Sequence, residues 1–131
     1  MITGLYAAIL GIIFLILSYN IILKRLKFGI GIGFEKSHIL EKAVRVHGNF
    51  AEYVPLALLL ILICELNTDV FSGGGLYHIH GLGLALVIAR IAHAVGLTQT
   101  SVRSMGRSVG VILTHLVILV AAGILIYQYF I

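Results

Sequence analysis

Two long stretches of this chain carry no charged residue, and they constrain the fold more than any other feature. The first runs from Ile2 to Leu23 and the second from Ser108 to Ile131. At about 1.5 Å per residue, a helix of either length spans the roughly 30 Å hydrocarbon core of a bilayer. The chain has 131 residues and is 60% hydrophobic, which is more apolar surface than a soluble domain of this size can bury. The sequence therefore predicts an integral membrane protein.

Two further apolar segments predict a four-helix bundle. We expect membrane spans over about 2–23, 44–66, 76–97 and 108–131, in a single all-α domain that covers residues 1–131. Pro55 lies inside the second span, where it removes one helical hydrogen bond. The Gly106-x-x-x-Gly110 pattern favours close packing of the fourth helix against a neighbour.

The distribution of basic residues predicts the orientation of the bundle. The first loop holds Lys24, Arg25, Lys27, Lys36 and Lys42, and the third holds Arg103 and Arg107. The second loop has no lysine or arginine and carries Asp69. By the positive-inside rule, loops one and three face the cytoplasm and both termini face the opposite side.

Polar side chains of three helices are expected to meet near the cytoplasmic interface. Arg45, Asn49 and Glu52 have i, i+4, i+7 spacing, so they share one face of the second helix. Arg90 and His93 lie at the cytoplasmic end of the third helix, close to the start of the fourth. A charged residue near mid-bilayer costs about 2.5–3.5 kcal/mol, so such residues usually pair with one another or bind a ligand.

Two interpretations of this cluster remain open. Glu52 can neutralise Arg45 or Arg90 in a structural ion-pair network. However, the region holds four arginines and few carboxylates, and guanidinium groups favour carboxylates, phosphates or a thiolate as partners. The four are Arg45, Arg90, Arg103 and Arg107. The surplus of positive charge therefore favours a site for an external anion.

Other chemistry is weakly indicated. Cys64 lies in an apolar segment and is expected to be an inert buried thiol. His78 and His80 point to different helix faces, and His115 stands alone, so no metal site is predicted. No nucleic-acid-binding motif is present.

The polar residues resemble a known family pattern. Arg45-x-x-x-Asn49-x-x-Glu52-Tyr53-x-Pro55 resembles the helix-two signature of the MAPEG family, membrane-associated proteins in eicosanoid and glutathione metabolism. Arg90-x-x-His93 and Arg107-Ser108-Val109 resemble patterns in helices three and four of its prostaglandin E synthase branch. Length and span number also match, so the resemblance covers essentially the whole chain.

The resemblance implies a homotrimer that binds glutathione as cosubstrate at subunit interfaces. It implies that glutathione is contacted by Arg45, His47, Asn49, Glu52, Tyr53, Arg90, His93 and Lys24. An arginine near the start of helix four stabilises the thiolate in such proteins, and Arg107 matches that position, with Arg103 as the alternative. Relatives often have a tyrosine where this chain has Leu97.

These observations predict a bacterial-type inner-membrane enzyme, a glutathione transferase or peroxidase acting on hydrophobic electrophiles or lipid hydroperoxides. Its partners would be glutathione, a hydrophobic small molecule or lipid, and the bilayer. A non-catalytic lipid-binding protein on the same fold is the first alternative, and Leu97 favours it. A small transporter is the second alternative, although helix one carries no acidic residue for coupling.

Overall fold

A computed structural model describes residues 1–35, 37–68, 75–99 and 104–130. It contains four α-helices in these ranges: α1 (Ile2–Phe28), α2 (His38–Leu66), α3 (Gly75–Gln99) and α4 (Met105–Phe130). Each is long and apolar enough to cross a membrane. The predicted all-α class with four spans is thus confirmed, although α1 and α2 extend beyond the predicted spans.

The extensions occur because charged residues continue the helices past the apolar segments. α1 runs on through Lys27 and ends at Gly29, whose φ of 69° is the left-handed conformation that glycine adopts without strain. α2 begins six residues before the predicted span because Ser37 caps it, accepting a hydrogen bond from the Leu40 amide at 3.4 Å. Arg25 fixes the loop between these helices, since its guanidinium donates to the carbonyls of Ile30, Gly31 and Gly33.

The apolar core lies between all four helices and contains side chains from each. Leu10 of α1, Ile61 of α2, Leu86 of α3 and Val117 of α4 are almost completely buried. Most other large apolar side chains on the outer surface are exposed, as expected for residues that face lipid. The bundle therefore buries a narrow interior and exposes apolar side chains on the surface that contacts the bilayer.

Close packing of α3 on α4 brings the ends of these helices together. Cβ atoms added at Gly106 and Gly110 would lie 3.1 Å from the Ala92 carbonyl oxygen and 2.6 Å from that of Ala89. A side chain at Gly110 would clash with α3 and one at Gly106 would be tight, so the two glycines permit the close approach that their spacing predicts. α4 therefore lies directly against the last turns of α3.

One helix end is capped by a side chain of another helix. The Glu65 carboxylate, near the end of α2, accepts hydrogen bonds from the backbone amides of Ile2 and Thr3, the latter at 2.8 Å. These amides have no partner inside α1 because they belong to its first turn. Glu65 therefore joins the start of α1 to the end of α2, and it also neutralises the positive end of the α1 dipole.

Candidate functional site

A cavity of about 350 Å³ lies at the end of the bundle where α2 and α4 begin and α3 ends. We call it the basic cavity. It is lined by His38, Glu41, Lys42, Arg45, Asn49, His93, Leu97 and Arg107. Its volume falls within the range of about 300–1,000 Å³ that is usual for small-molecule sites. Three helices thus contribute to one polar pocket, as the sequence predicts.

The basic cavity carries more positive than negative charge. Lys42, Arg45 and Arg107 line it together with a single carboxylate, that of Glu41. Glu41 pairs with His38, whose Nδ1 lies 3.3 Å from its Oε2. Within the described part of the chain, no ion pair joins the three cations to a carboxylate. The cavity therefore has unused cationic groups that are suited to bind an anion.

The interior wall of the cavity is fixed by a hydrogen bond between α2 and α3. Arg90 is only 2% exposed and donates through Nη1 to Oδ1 of Asn49 at 2.8 Å. Its Nη2 donates to the carbonyl of Gly110 at 3.3 Å, which adds α4 to the same arrangement. Arg90 therefore lies behind the wall, whereas Asn49 and His93, one turn further along α3, are among the lining residues.

Two predicted site residues, Glu52 and Tyr53, lie outside the lining of the basic cavity. Glu52 is exposed on the outside of the protomer, almost one turn further into the span than Asn49. Tyr53 packs against His115 of α4 with ring centroids 5.1 Å apart. Both side chains thus belong to the outer surface formed by α2 and α4.

His47 and Lys24, two further predicted residues, are also separate from the cavity in the protomer. His47 follows Arg45 by two positions, so it lies about 200° around α2. Its ring packs against that of Phe14 with centroids 4.7 Å apart, and its buried Nε2 makes no hydrogen bond to the part of the chain that the structure describes. Lys24 donates to Asn20 on α1. Arg103 lies outside the described residues, as do Lys36 and Asp69, which entered the prediction of orientation.

His38, Glu41 and Lys42 line the cavity but were not predicted as site residues. They were assigned to the first loop because the apolar segment begins only at Val44. Ser37 was the available signal, since serine favours the N-cap and so indicates that α2 starts earlier. The first two turns of α2 are therefore part of the site.

A second cavity, of about 420 Å³, lies between α1 and α2 and is almost wholly apolar. We call it the apolar groove. It is lined by Ala7, Leu10, Gly11, Phe14, Phe50, Ala51, Val54, Pro55 and Leu58. Its residues on α2 lie on the face of the helix opposite to Arg45 and Asn49. Val54, for example, follows Asn49 by five positions, so at about 100° per residue the two side chains lie about 140° apart around the helix axis. The two cavities therefore open on different sides of the protomer.

The histidines at the other end of the bundle make hydrogen bonds within the protein. Tyr6 and His80 are joined through the hydroxyl and Nδ1 at 3.0 Å, and Thr68 lies 3.5 Å from Nε2 of His78. In the ranges that the structure describes, no group of three or more His, Cys, Asp or Glu side chains is arranged to hold a metal ion. The basic cavity is thus the better candidate for chemistry.

A protein-family model and two known proteins match this chain. The model of the MAPEG family matches residues 3–127. Inner membrane protein YecN of Escherichia coli K12 is 29% identical over 96 residues, which cover 73% of this chain and 70% of YecN. YecN of the E. coli strain CFT073 matches with the same values. No solved structure matches.

Proposed function

Because this chain belongs to the MAPEG family of membrane proteins, we propose that it is a glutathione-dependent transferase or peroxidase. Its second substrate would be a hydrophobic electrophile or a lipid hydroperoxide. The observation that carries the proposal is the basic cavity, in which three cations face one carboxylate. Arrangements of this kind suit a small anionic ligand that also carries one positive group.

The charges of glutathione complement those of the cavity lining. Glutathione has two carboxylates, one ammonium group and one thiol. Arg45 and Lys42 would bind carboxylates, and Glu41 would offer an acidic partner for the ammonium. Arg107, at the start of α4, would then hold the sulfur. A guanidinium beside a thiol stabilises the thiolate and lowers its pKa from the usual value of about 8.5.

The protein's contribution to the reaction would be to bind, orient and deprotonate the thiol. In transfer, the thiolate sulfur forms a bond to the electrophilic carbon, and the leaving group departs with the electron pair. In peroxide reduction, two glutathione molecules are oxidised to their disulfide, while the hydroperoxide is reduced to an alcohol and water. Either reaction leaves the protein unchanged, which fits the fully buried position of Cys64.

The exposure of Arg45 and Glu52 supports assembly with further copies of the chain. Both residues belong to a membrane-spanning helix, yet both are exposed in the isolated protomer. Lipid is a poor partner for either charge. On a different face of the same helix, His47 has an unpartnered nitrogen beside the apolar groove. Contacts between unlike faces form a closed ring when the rotation between copies closes, and we propose a homotrimer in which Glu52, Tyr53 and His47 contact neighbouring copies.

The location of the protein follows the same reasoning. The relatives from E. coli are named inner membrane proteins, and we propose the same membrane for this chain. The basic cavity lies at the end that carries Lys24, Arg25, Lys27 and Arg107. The positive-inside rule puts this end in the cytoplasm, which is where reduced glutathione is maintained.

Glutathione binding to the detergent-solubilised protein tests the proposal. Absorbance near 240 nm should rise when glutathione is added, because thiolate forms in the cavity. The variants Arg45→Ala and Arg107→Ala should each lose this signal. Lys27→Ala is the matched control, since this cation is exposed at the same end but does not line the cavity. Absence of binding to the unmodified protein, or equal binding by all variants, would refute the proposal.

A non-catalytic lipid-binding function is the second candidate, and the apolar groove is the observation that favours it. The groove opens toward the membrane at Gly11, where an added Cβ would meet no atom within 4 Å. Turnover of 1-chloro-2,4-dinitrobenzene or a lipid hydroperoxide would support the enzyme. Lack of turnover with both, together with specific retention of a lipid that Gly11→Phe removes, would support the alternative.

A further inference from the structure

We propose that Arg90 is a positioning residue that orients the Asn49 amide, so that the amide nitrogen of Asn49 donates hydrogen bonds into the basic cavity. Asn49 thereby becomes a carboxylate-binding donor, and the buried guanidinium acts on the ligand through it. This inference rests on the proposed function, since it concerns how the same cavity recognises glutathione.

The orientation of the Asn49 amide follows from the chemistry of its partner. A guanidinium group has five N–H donors and no acceptor. Nη1 of Arg90 lies 2.8 Å from the Asn49 side chain, so the atom facing it must be the carbonyl oxygen, Oδ1. The opposite orientation would set two donors against each other at a buried site, which costs about 1–3 kcal/mol for the unsatisfied groups.

With Oδ1 held by Arg90, the NH₂ group of Asn49 points away from the guanidinium. Asn49 is half-buried and lines the basic cavity. No hydrogen-bond acceptor for its Nδ2 is found in the described parts of the chain. Two N–H donors therefore remain for a ligand, next to the cations of Arg45 and Arg107.

The burial of Arg90 argues for a role beyond packing. Its described partners are the Asn49 side chain and the backbone carbonyls of Asn49 and Gly110, none of which carries a charge. Among the residues that the structure describes, its Nε finds no hydrogen-bond partner. Keeping an uncompensated cation in a membrane protein is costly, and a neutral donor would hold Asn49 equally well. A bound anion on the other side of Asn49 supplies the missing negative charge.

The variant Asn49→Asp tests the orientation without removing the contact to Arg90. Aspartate still accepts from the guanidinium, and more strongly, so the unfolding temperature in detergent should stay the same or rise. Its second oxygen now replaces the cavity-facing NH₂, so glutathione affinity should fall about 10- to 100-fold. Asn67→Asp, the same change at the exposed far end of α2, should alter neither quantity. Unchanged glutathione affinity in Asn49→Asp would overturn the inference, because it would show that no acceptor of the ligand faces this side chain.

Binding of a second ligand, glutathione diethyl ester, identifies which chemical group of glutathione contacts Asn49. Glutathione diethyl ester has no carboxylates, so its binding, although weaker overall, should lose less affinity in Asn49→Asp than that of glutathione. An equal loss for both ligands would overturn the assignment of Asn49 as a carboxylate donor. If the unmodified protein binds neither ligand, the proposed function itself fails. If the unmodified protein and Asn49→Asp bind glutathione equally well, only the inference about Asn49 fails.

A pair of buried variants separates positioning from stability. Thr114 is 1% exposed and donates at 2.7 Å to the same Gly110 carbonyl that Arg90 contacts. Thr114→Val should lower the unfolding temperature but keep glutathione affinity. Arg90→Met should lower affinity at least tenfold, and Arg90→Lys should restore part of it, since lysine keeps the charge and can donate to Asn49 without the planar fork of arginine. Affinity that merely follows the unfolding temperature across the three variants would contradict a positioning role.

Discussion

Replacing Gly110 by alanine should force α3 and α4 apart where they support the basic cavity. An added Cβ would lie 2.6 Å from the Ala89 carbonyl oxygen and 2.7 Å from Cβ of His93. Ordinary contacts begin near 3.4 Å, so the helices must separate locally by about 0.8 Å. Both obstacles are backbone or backbone-attached atoms, so no rotation of a side chain relieves the clash.

The expected cost combines two opposing contributions. Overpacking of a well-packed interior typically costs about 1–3 kcal/mol. Alanine is a better helix former than glycine and returns roughly 0.5–1 kcal/mol. The net loss of stability should therefore lie between about 0 and 2.5 kcal/mol. Separation of the helices would also lengthen the hydrogen bonds that the Gly110 carbonyl accepts from Arg90 and Thr114.

Gly123→Ala on the same helix is the matched control. Its Cβ would meet no atom within 4 Å, so only the gain in helix propensity applies. Unfolding of both variants in detergent, followed by circular dichroism at 222 nm, should show Gly110→Ala to be the less stable. Glutathione affinity should fall only in Gly110→Ala, because His93 and Arg90 move with α3. A Gly110→Ala protein as stable as Gly123→Ala would refute the reasoning.

Three further predictions concern other parts of the bundle. Glu65→Gln should lower stability by about 1–2 kcal/mol, because it replaces the charged acceptor at the start of α1, and hydrogen exchange should accelerate at Ile2 and Thr3 before it does elsewhere; unchanged exchange there would contradict the capping role. Leu97→Tyr places a hydroxyl donor in the lining of the basic cavity and should raise glutathione affinity up to about tenfold, as measured by calorimetry; weaker binding would show that the added ring fills space the ligand needs. Cys64 is 0% exposed and should resist maleimide labelling until the bundle is unfolded; rapid labelling of the folded protein would mean that the α2 and α4 interface opens.

The bundle could be predicted from sequence because the bilayer imposes a simple rule on apolar length. Segments free of charge, such as Ile2–Leu23, must be helices that span the membrane. The ends of the helices were harder to predict, because Lys24, Arg25 and Lys27 extend α1 without apolar character. Hydropathy indicates where a helix contacts lipid, whereas its bounds depend on the residues that cap it. Gly29 caps the end of α1, and Ser37 caps the start of α2.

The site could be predicted only as far as helical periodicity reaches. Spacing of four residues along α2 correctly groups Arg45 with Asn49, and both line the basic cavity. The position of His47 relative to that cavity requires knowledge of which way α2 faces α1, and its contact with Phe14 comes from packing. The burial of Arg90 behind Asn49 depends on how closely α4 approaches, which Gly110 controls.

The cap on α1 also sets an order for biosynthesis. α1 is made first, but the carboxylate that satisfies its opening amides comes from Glu65, 62 residues after Thr3. Until α2 has been synthesised and has crossed the membrane, those amides depend on water or lipid headgroups. The first two helices, joined by the loop that Arg25 holds, would therefore mature as one inserted hairpin. Mutations at Glu65 should then reduce yield during insertion, before they affect any reaction of the finished protein.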